Sequence, residues 1–129
     1  MIEEYLNNKY GDYIIGLDIY EDLKSLKLSR IVIDPKLRNS GTGTNIMLDL
    51  IKYADDNKKI TTLTPSSDFG GNKNKLVQFY KRFGFKLNKG IYKNYEYRDT
   101  MIRYPKMNQI SETKLFIKEL LRNNFKEQK

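Results

Sequence analysis

Ile31 to Thr44 read I-V-I-D-P-K-L-R-N-S-G-T-G-T. The run opens on three β-branched apolar residues, which is how a buried strand reads. It breaks at Asp34-Pro35, passes through Arg38-Asn39-Ser40-Gly41-Thr42-Gly43, and gives way to an amphipathic helix. A strand, a glycine-bearing turn and a helix start in direct succession make a candidate anion site. Backbone N–H groups at a helix N-terminus have no acceptor within the helix, and the helix dipole favours negative charge there. Glycine at 41 and 43 would let the backbone approach a phosphate with no Cβ in the way. The spacing is R-x-x-G-x-G. It is neither the dinucleotide fingerprint G-x-G-x-x-G nor the phosphate loop G-x-x-x-x-G-K-[ST].

Working outward, the helix after Gly43 carries Met47, Leu50, Ile51 and Ala54 at i, i+3, i+4 and i+7, with Ile46 beside them. Asp49, Lys52, Asp55 and Asp56 fall elsewhere on the wheel, and Asn57 is a plausible stop. Ile60 to Thr64 reads as a short strand ended by Pro65, which completes a βαβ unit and predicts two parallel neighbours. Upstream, Leu26 to Ile33 (L-K-L-S-R-I-V-I) alternates at Leu26 and Leu28 until Ser29 and Arg30 interrupt it. Tyr13 to Tyr20 is a strand joined to it by a polar hairpin from Glu21 to Ser25. Residues 1–12 read as a short helix or an edge segment, with Ile2, Tyr5 and Leu6 as anchors.

Downstream, Pro65 to Asn74 is a loop with a Gly-Gly pair. Lys75 to Phe83 is a helix with Leu76, Val77, Tyr80 and Phe83 as its stripe and Gly84 as its left-handed stop. Phe85 to Leu87 and Thr100 to Tyr104 read as strands flanking a polar and aromatic excursion that carries Tyr92, Tyr95 and Tyr97. Ser111 can cap a last helix, about 111–126, with Phe116, Ile117, Leu120, Leu121 and Phe125 on one face.

The chain of 129 residues fits one domain over 1–129 with a core over about 13–105. No run is long and apolar enough to span a bilayer, and the start M-I-E-E-Y-L lacks a signal-peptide pattern, so a cytoplasmic protein is expected. With 0 His and 0 Cys, triads built on histidine, acyl-cysteine intermediates and imidazole or thiolate metal sites are excluded. No metal is expected. Acyl transfer would then pass directly from donor to acceptor, serine or lysine nucleophiles aside. The net charge of +8 suits a polyanionic ligand and also suits nucleic acid. The Lys, Asn, Ile and Tyr bias of the whole chain makes it weak support for nucleic acid, which is not the expected partner.

R-x-x-G-x-G after a strand resembles motif A of the GNAT superfamily of N-acetyltransferases, the segment that binds the pyrophosphate of acetyl-coenzyme A. Leu76 to Phe85, L-V-Q-F-Y-K-R-F-G-F, is similar to that family's motif B, and its F-Y-x-R-F-G-F form is particularly like the arylalkylamine acetyltransferases. The likeness spans about Leu26 to Pro105. The runs L-S-R-I-V-I and L-T-P-S-S-D-F-G-G look most like the short GNAT proteins of bacteriophages. The implied fold is α/β, a GNAT-like acyl-CoA N-acyltransferase fold with a mixed, mostly antiparallel sheet and helices on both faces. The implied reaction is acetyl transfer from acetyl-coenzyme A, as co-substrate, to an amine-bearing acceptor, either a protein (lysine or N-terminus) or a small molecule.

The resemblance also implies roles. Backbone amides of Arg38, Asn39, Ser40, Gly41, Thr42 and Gly43 would cradle the pyrophosphate, with Thr44 capping nearby. The edge at Ile31 and Ile33 would bond the pantetheine amides, in a slot made where the two parallel strands splay. Lys73 stands where the family commonly has a coenzyme-contacting asparagine, with Asn72 and Asn74 as neighbours that could substitute. Lys36, Lys73, Lys75 and Arg82 would add positive potential or form plain solvated surface. Tyr80 is the expected general acid for the departing thiolate. A phenol near ~10 donating to a thiolate near ~8.5 is uphill by roughly 2 kcal/mol.

The family often places a glutamate base on the strand before motif A. That region offers Lys27 and Ser29 instead, leaving Asp18, Glu21 and Asp34 as candidates by sequence alone. Tyr92, Tyr95 and Tyr97 would line the acceptor groove or cover the sheet edge. The last helix would pack on the domain or on a second subunit in a homodimer. A different class remains open: a GNAT-fold binding or anti-defence protein with a vestigial or structural coenzyme site.

Overall fold

The computed structural model describes residues 2–37, 40–66 and 72–106. Helix α1 (Ile2–Tyr10) leads into strands β1 (Ile14–Glu21) and β2 (Ser25–Ile33), then a 3-10 turn (Pro35–Leu37). Helix α2 (Thr42–Asp56) and strand β3 (Ile60–Leu63) complete the crossover. Helix α3 (Lys73–Lys81), strand β4 (Lys86–Leu87), a 3-10 turn (Gly90–Tyr92) and strand β5 (Met101–Arg103) follow. The sheet order is β1-β2-β3-β5-β4, with β2 and β3 parallel and every other pair antiparallel. This is the mixed, mostly antiparallel sheet flanked by helices that the pattern predicts.

The start of the chain resolves to a helix. Ile2 and Leu6 are buried, one turn apart, whereas Tyr5 is exposed and does not serve as an anchor. Glu3 reaches back to accept the Ile19 N–H at 2.8 Å, and Lys9 and Tyr10 bond Asp49 of α2 at 2.9 and 2.6 Å. The β1–β2 turn forms because Asp22 Oδ1 accepts the N–H groups of Lys24 and Ser25, a local bond that Asp makes readily in turns.

The interruption at Ser29-Arg30 is a β-bulge. Asp18 pairs with Arg30 and Ile19 with Leu28, so Ser29 has no opposite number. One extra residue changes the parity of the strand. Leu26 and Leu28 pack in the core before the bulge, and Ile31 packs against that same core after it. The bulge begins one residue beyond Leu28, where β2 stops pairing with β3 at Leu63. From there β2 runs on to Ile33 bonded to β1 alone.

The core gathers Leu17, Ile19, Leu26, Leu28, Ile46, Met47, Leu50, Leu63 and Met101 with Tyr80, Phe83 and Phe85 around α3. Arg103, a strand residue, is also buried. Its guanidinium donates from both terminal nitrogens to Asp55 at 2.7 and 3.0 Å, and its Nε donates to the Phe83 carbonyl at 2.7 Å. Burial pushes the Asp55 carboxyl up, but Arg103 and the Lys106 N–H outweigh it and hold the group below its ordinary value. Gly84, with φ +93°, follows Phe83, and a Cβ there would sit 3.2 Å from Arg103 Nε. The expected last helix at 111–126 lies outside the described residues.

Candidate active site

Beyond Leu63, where β3 ends and β2 runs on, lies a cleft of about 510 Å³. Its walls are Leu28 to Ile33 on one side and Leu63 to Ser66 on the other. Gly41 to Thr44 close one end, and Leu76, Phe79, Tyr80 and Arg82 of α3 and its end stand over it. The cleft opens past the end of β3, next to the bulge at Ser29; β3 itself pairs with β2 along its whole length, so no splay within the pair is seen.

At the head of α2 the cap residue is Gly41, at φ +85°, with no side chain to bond the helix. The ladder starts with the Asn45 N–H donating to the Gly41 carbonyl at 3.0 Å. Thr42, Gly43 and Thr44 thus have N–H groups with no acceptor inside the helix, at the end of the cleft. Thr44 lies within the helix, so the capping expected of it is not made; Gly41 holds the cap position. The Ser40 hydroxyl donates to the Leu37 carbonyl at 2.6 Å and lies 2.7 Å from the Thr42 hydroxyl, which fixes the turn from the solvent side. Arg38 and Asn39 lie outside the described residues.

The two glycines differ in what they do. A Cβ on Gly41 would meet nothing within 4 Å, so its requirement is the left-handed backbone and the open space beside it. A Cβ on Gly43 would lie 3.1 Å from Ile33 Cδ1 and 3.8 Å from Phe79 Cζ. Gly43 therefore serves close packing of α2 on β2 and α3, at the wall of the cleft.

Tyr80 is 7% exposed, lines the cleft, and meets Phe79 and Phe85 edge-on. Burial pushes its phenol up to about 12. Its hydroxyl has no hydrogen-bond partner among the described residues. Arg82 also lines the cleft, with its guanidinium 5.1 Å from the Phe79 ring centroid.

Other predicted residues lie elsewhere. Asn72 caps α3, its side-chain oxygen accepting the N–H groups of Asn74 and Lys75 at 2.8 and 3.3 Å. Lys73 is the exposed first residue of that helix, and neither it nor Lys36 lines the cleft. The three carboxylates considered as bases all have structural partners. Asp18 pairs with Arg30 at 3.0 Å, and Asp34 accepts the Lys36 N–H at 3.0 Å. Glu21 is bound by Lys59 and by the Tyr53 hydroxyl. Burial raises Glu21, and those two donors more than reverse it. Of the pair on β2, Ser29 lines the cleft, whereas Lys27 faces Asp99 at 3.8 Å. No group of residues able to hold a metal ion occurs among the described residues.

An uncapped helix start thus meets a cleft beside the free edge of β2, with a buried tyrosine in its wall, on a mixed sheet. The chain belongs to the GNAT family: residues 5–87 match the model described as Acetyltransferase (GNAT) domain. Among curated proteins it is similar to tRNA(Met) cytidine acetyltransferase TmcA of Haemophilus ducreyi, 35% identical over 65 residues. That match takes in 50% of this chain and 11% of the relative, so the chain spans about a ninth of that protein's length. Among solved structures, Ard1 from Thermoplasma volcanium superposes with a TM-score of 0.50 at 17% identity, covering 79% of this chain and 76% of the other. A GNAT-family protein from Bacteroides thetaiotaomicron gives 0.51 at 18%, covering 81% and 61%. These two likenesses speak to the fold alone.

Proposed function

We propose that this chain moves the acetyl group of acetyl-coenzyme A directly onto a primary amine, with donor and acceptor bound together. The observation that carries the proposal is the uncapped start of α2 opening onto a slot beside the β2 edge that continues past the end of β3. Acetyl-coenzyme A would supply the activated acyl group as a thioester. The N–H groups of Thr42, Gly43 and Thr44 bind its pyrophosphate, with Gly41 leaving room and Arg38, Asn39 and Ser40 completing the loop. The β2 edge from Ile31 to Ile33, which β3 leaves free, bonds the pantetheine amides through its backbone.

Tyr80 donates its proton to the departing sulfur. A phenol at about 12 against a thiol near ~8.5 costs roughly 5 kcal/mol, more than the unperturbed values suggest. The apolar walls that raise the phenol also raise a thiol placed beside it, which narrows the gap. The same burial keeps Tyr80 protonated throughout the physiological range, and its unpartnered hydroxyl is free to donate.

No carboxylate occurs among the described residues lining the cleft. An α-amine near ~8 loses its proton at neutral pH for roughly 1 kcal/mol, against 4–5 kcal/mol for a lysine-type amine near ~10.4. Weakly basic amines are therefore the faster acceptors, with the proton passing to water at the open mouth. We place the chain with the short, phage-type members of the family, in the cytoplasm, with a homodimer through the 111–126 segment. The second reading, a binding protein on this fold, is favoured by the same lack of a lining carboxylate.

Thermal unfolding with acetyl-coenzyme A, followed by thiol release over a panel of amines, tests both readings. Saturation at a hundred times Kd should add roughly 2.7 kcal/mol of stability. Stabilisation with thiol release supports the enzyme, and stabilisation without release on any amine supports the binding protein. No stabilisation overturns both readings of the slot.

A further inference from the structure

The excursion between β4 and β5 has no part in the cleft described above. It is an ordered loop built on one buried side chain, Asn88. The Asn88 amide donates to the carbonyls of Asn94 and Tyr97 at 3.1 Å each, and its oxygen accepts the Asn94 N–H at 2.8 Å. Asn94 in turn accepts the Glu96 N–H at 3.0 Å and donates to the Tyr104 hydroxyl at 3.2 Å. Gly90, at φ +84°, starts the 3-10 turn. Tyr97 is half-buried, and the Asp99 side chain accepts from Thr64, a cleft residue, at 2.9 Å. A loop fixed this firmly could have turned its remaining apolar side chains inward. Instead Ile91, Tyr92 and Tyr95 are 90%, 83% and 83% exposed.

Cations are interleaved with these rings. Lys93 Nζ stands 5.1 Å from the Tyr95 ring centroid, and Lys86 Nζ stands 5.1 Å from that of Tyr104. Lys89 and Arg98 lie in the same loop and are exposed. The two acidic residues of the stretch are already engaged: Glu96 with Lys24 at 3.7 Å, and Asp99 with Lys27 and Thr64. Exposed rings on a rigid backbone, set among unneutralised cations, match what single-stranded nucleic acid asks of a protein: ring faces to stack on and positive charge along its backbone. An acidic protein needs no such alternation of ring and cation along Tyr92, Lys93 and Tyr95, whereas successive bases and phosphates do.

We propose that the 88–100 loop is a docking platform for single-stranded nucleic acid, with Tyr92 and Tyr95 stacking on bases and Lys86, Lys89, Lys93 and Arg98 facing phosphates. The tie from Asp99 to Thr64 would hold the bound strand beside the cleft mouth. The proposal stands on the loop and does not need the acetyl-transfer reading.

Fluorescence anisotropy with labelled oligouridylate and oligothymidylate of about twelve nucleotides, at about 50 mM salt, tests it on the intact chain. The expected result is binding that weakens at least tenfold in Tyr92→Ala/Tyr95→Ala and whose salt dependence falls by about half in Lys89→Gln/Lys93→Gln. All four side chains are exposed, so the fold should survive, which circular dichroism checks. Tyr92→Phe/Tyr95→Phe should bind like the parent, because the ring face does the stacking. No binding at this salt overturns the proposal. So does binding that ignores the loss of both rings, or that polyglutamate displaces as well as the unlabelled oligonucleotide does.

Discussion

The two ends of α2 are built from the same backbone and treated in opposite ways. At its C-terminus the carbonyls of Tyr53, Ala54 and Asp55 all accept hydrogen bonds. The Asn57 N–H and its side-chain amide both donate to the Tyr53 carbonyl, and the Lys59 N–H donates to that of Ala54. Lys58 accepts the left-handed conformation at φ +55° to allow the reversal, and Asp55 takes the bidentate Arg103. At its N-terminus the cap is a glycine with no side chain, and the first-turn N–H groups end at a cleft. The bonded end anchors three elements, whereas the bare end has capacity left for a ligand. Unmet hydrogen bonds at a helix start cost little in an open cleft, since water can meet them, and they become binding energy when an anion displaces that water.

The largest effect should come from unlocking the bonded end. Arg103→Met leaves the Phe83 carbonyl without its side-chain donor and Asp55 with the Lys106 N–H alone, in a partly buried setting, which should cost about 3 kcal/mol in denaturant unfolding. A loss under about 1 kcal/mol would mean that the pair does not hold the end together. The pH dependence sharpens this. The Asp55 carboxyl is depressed in the folded chain, so its contribution is present above its unfolded value and is lost as pH falls through its folded one. The parent should therefore destabilise more steeply than Arg103→Met below about pH 4, as followed by urea unfolding across that range.

At the bare end the effects fall on activity. Tyr80→Phe should lower kcat about a hundredfold, at the low end for loss of a positioned proton donor, while leaving stability nearly unchanged because the hydroxyl has no partner to lose. Unchanged kcat would reduce Tyr80 to a packing residue. The smallest effect should be that of Gly43→Ala. Its Cβ presses on the end of a flexible isoleucine, so stability should drop by about 1 kcal/mol or less, with coenzyme affinity nearly kept. A large loss of affinity there would show that this glycine also serves the approach of the ligand.

The bare end is legible in the sequence, and of the bonded end only the stop at Asn57 is. Gly41, Gly43 and the strand before them announce themselves locally, because turn chemistry and β-branched runs are short-range signals. The broken alternation at Ser29-Arg30 was visible too, but a bulge and a plain irregularity look alike until the partner strand is known. Arg103 sits in T-M-I-R-Y, which reads as a strand and no more. Its burial depends on Asp55, 48 positions away, which reads as a surface charge on the helical wheel. The packing of Gly43 on Ile33 is hidden for the same reason: whether an absent Cβ faces a neighbour is decided by tertiary packing.

The most direct measurement of the central claim is calorimetric binding of coenzyme A and of pantetheine, which lacks the diphosphate, to the parent chain and to Gly41→Val. A branched side chain at φ +85° disturbs the turn without filling the pantetheine slot. Coenzyme A should bind the parent at least about a hundredfold more tightly than pantetheine does, and Gly41→Val should erase most of that difference. Equal affinities for the two ligands in the parent, or a difference that survives in Gly41→Val, would contradict the assignment of the diphosphate to the start of α2.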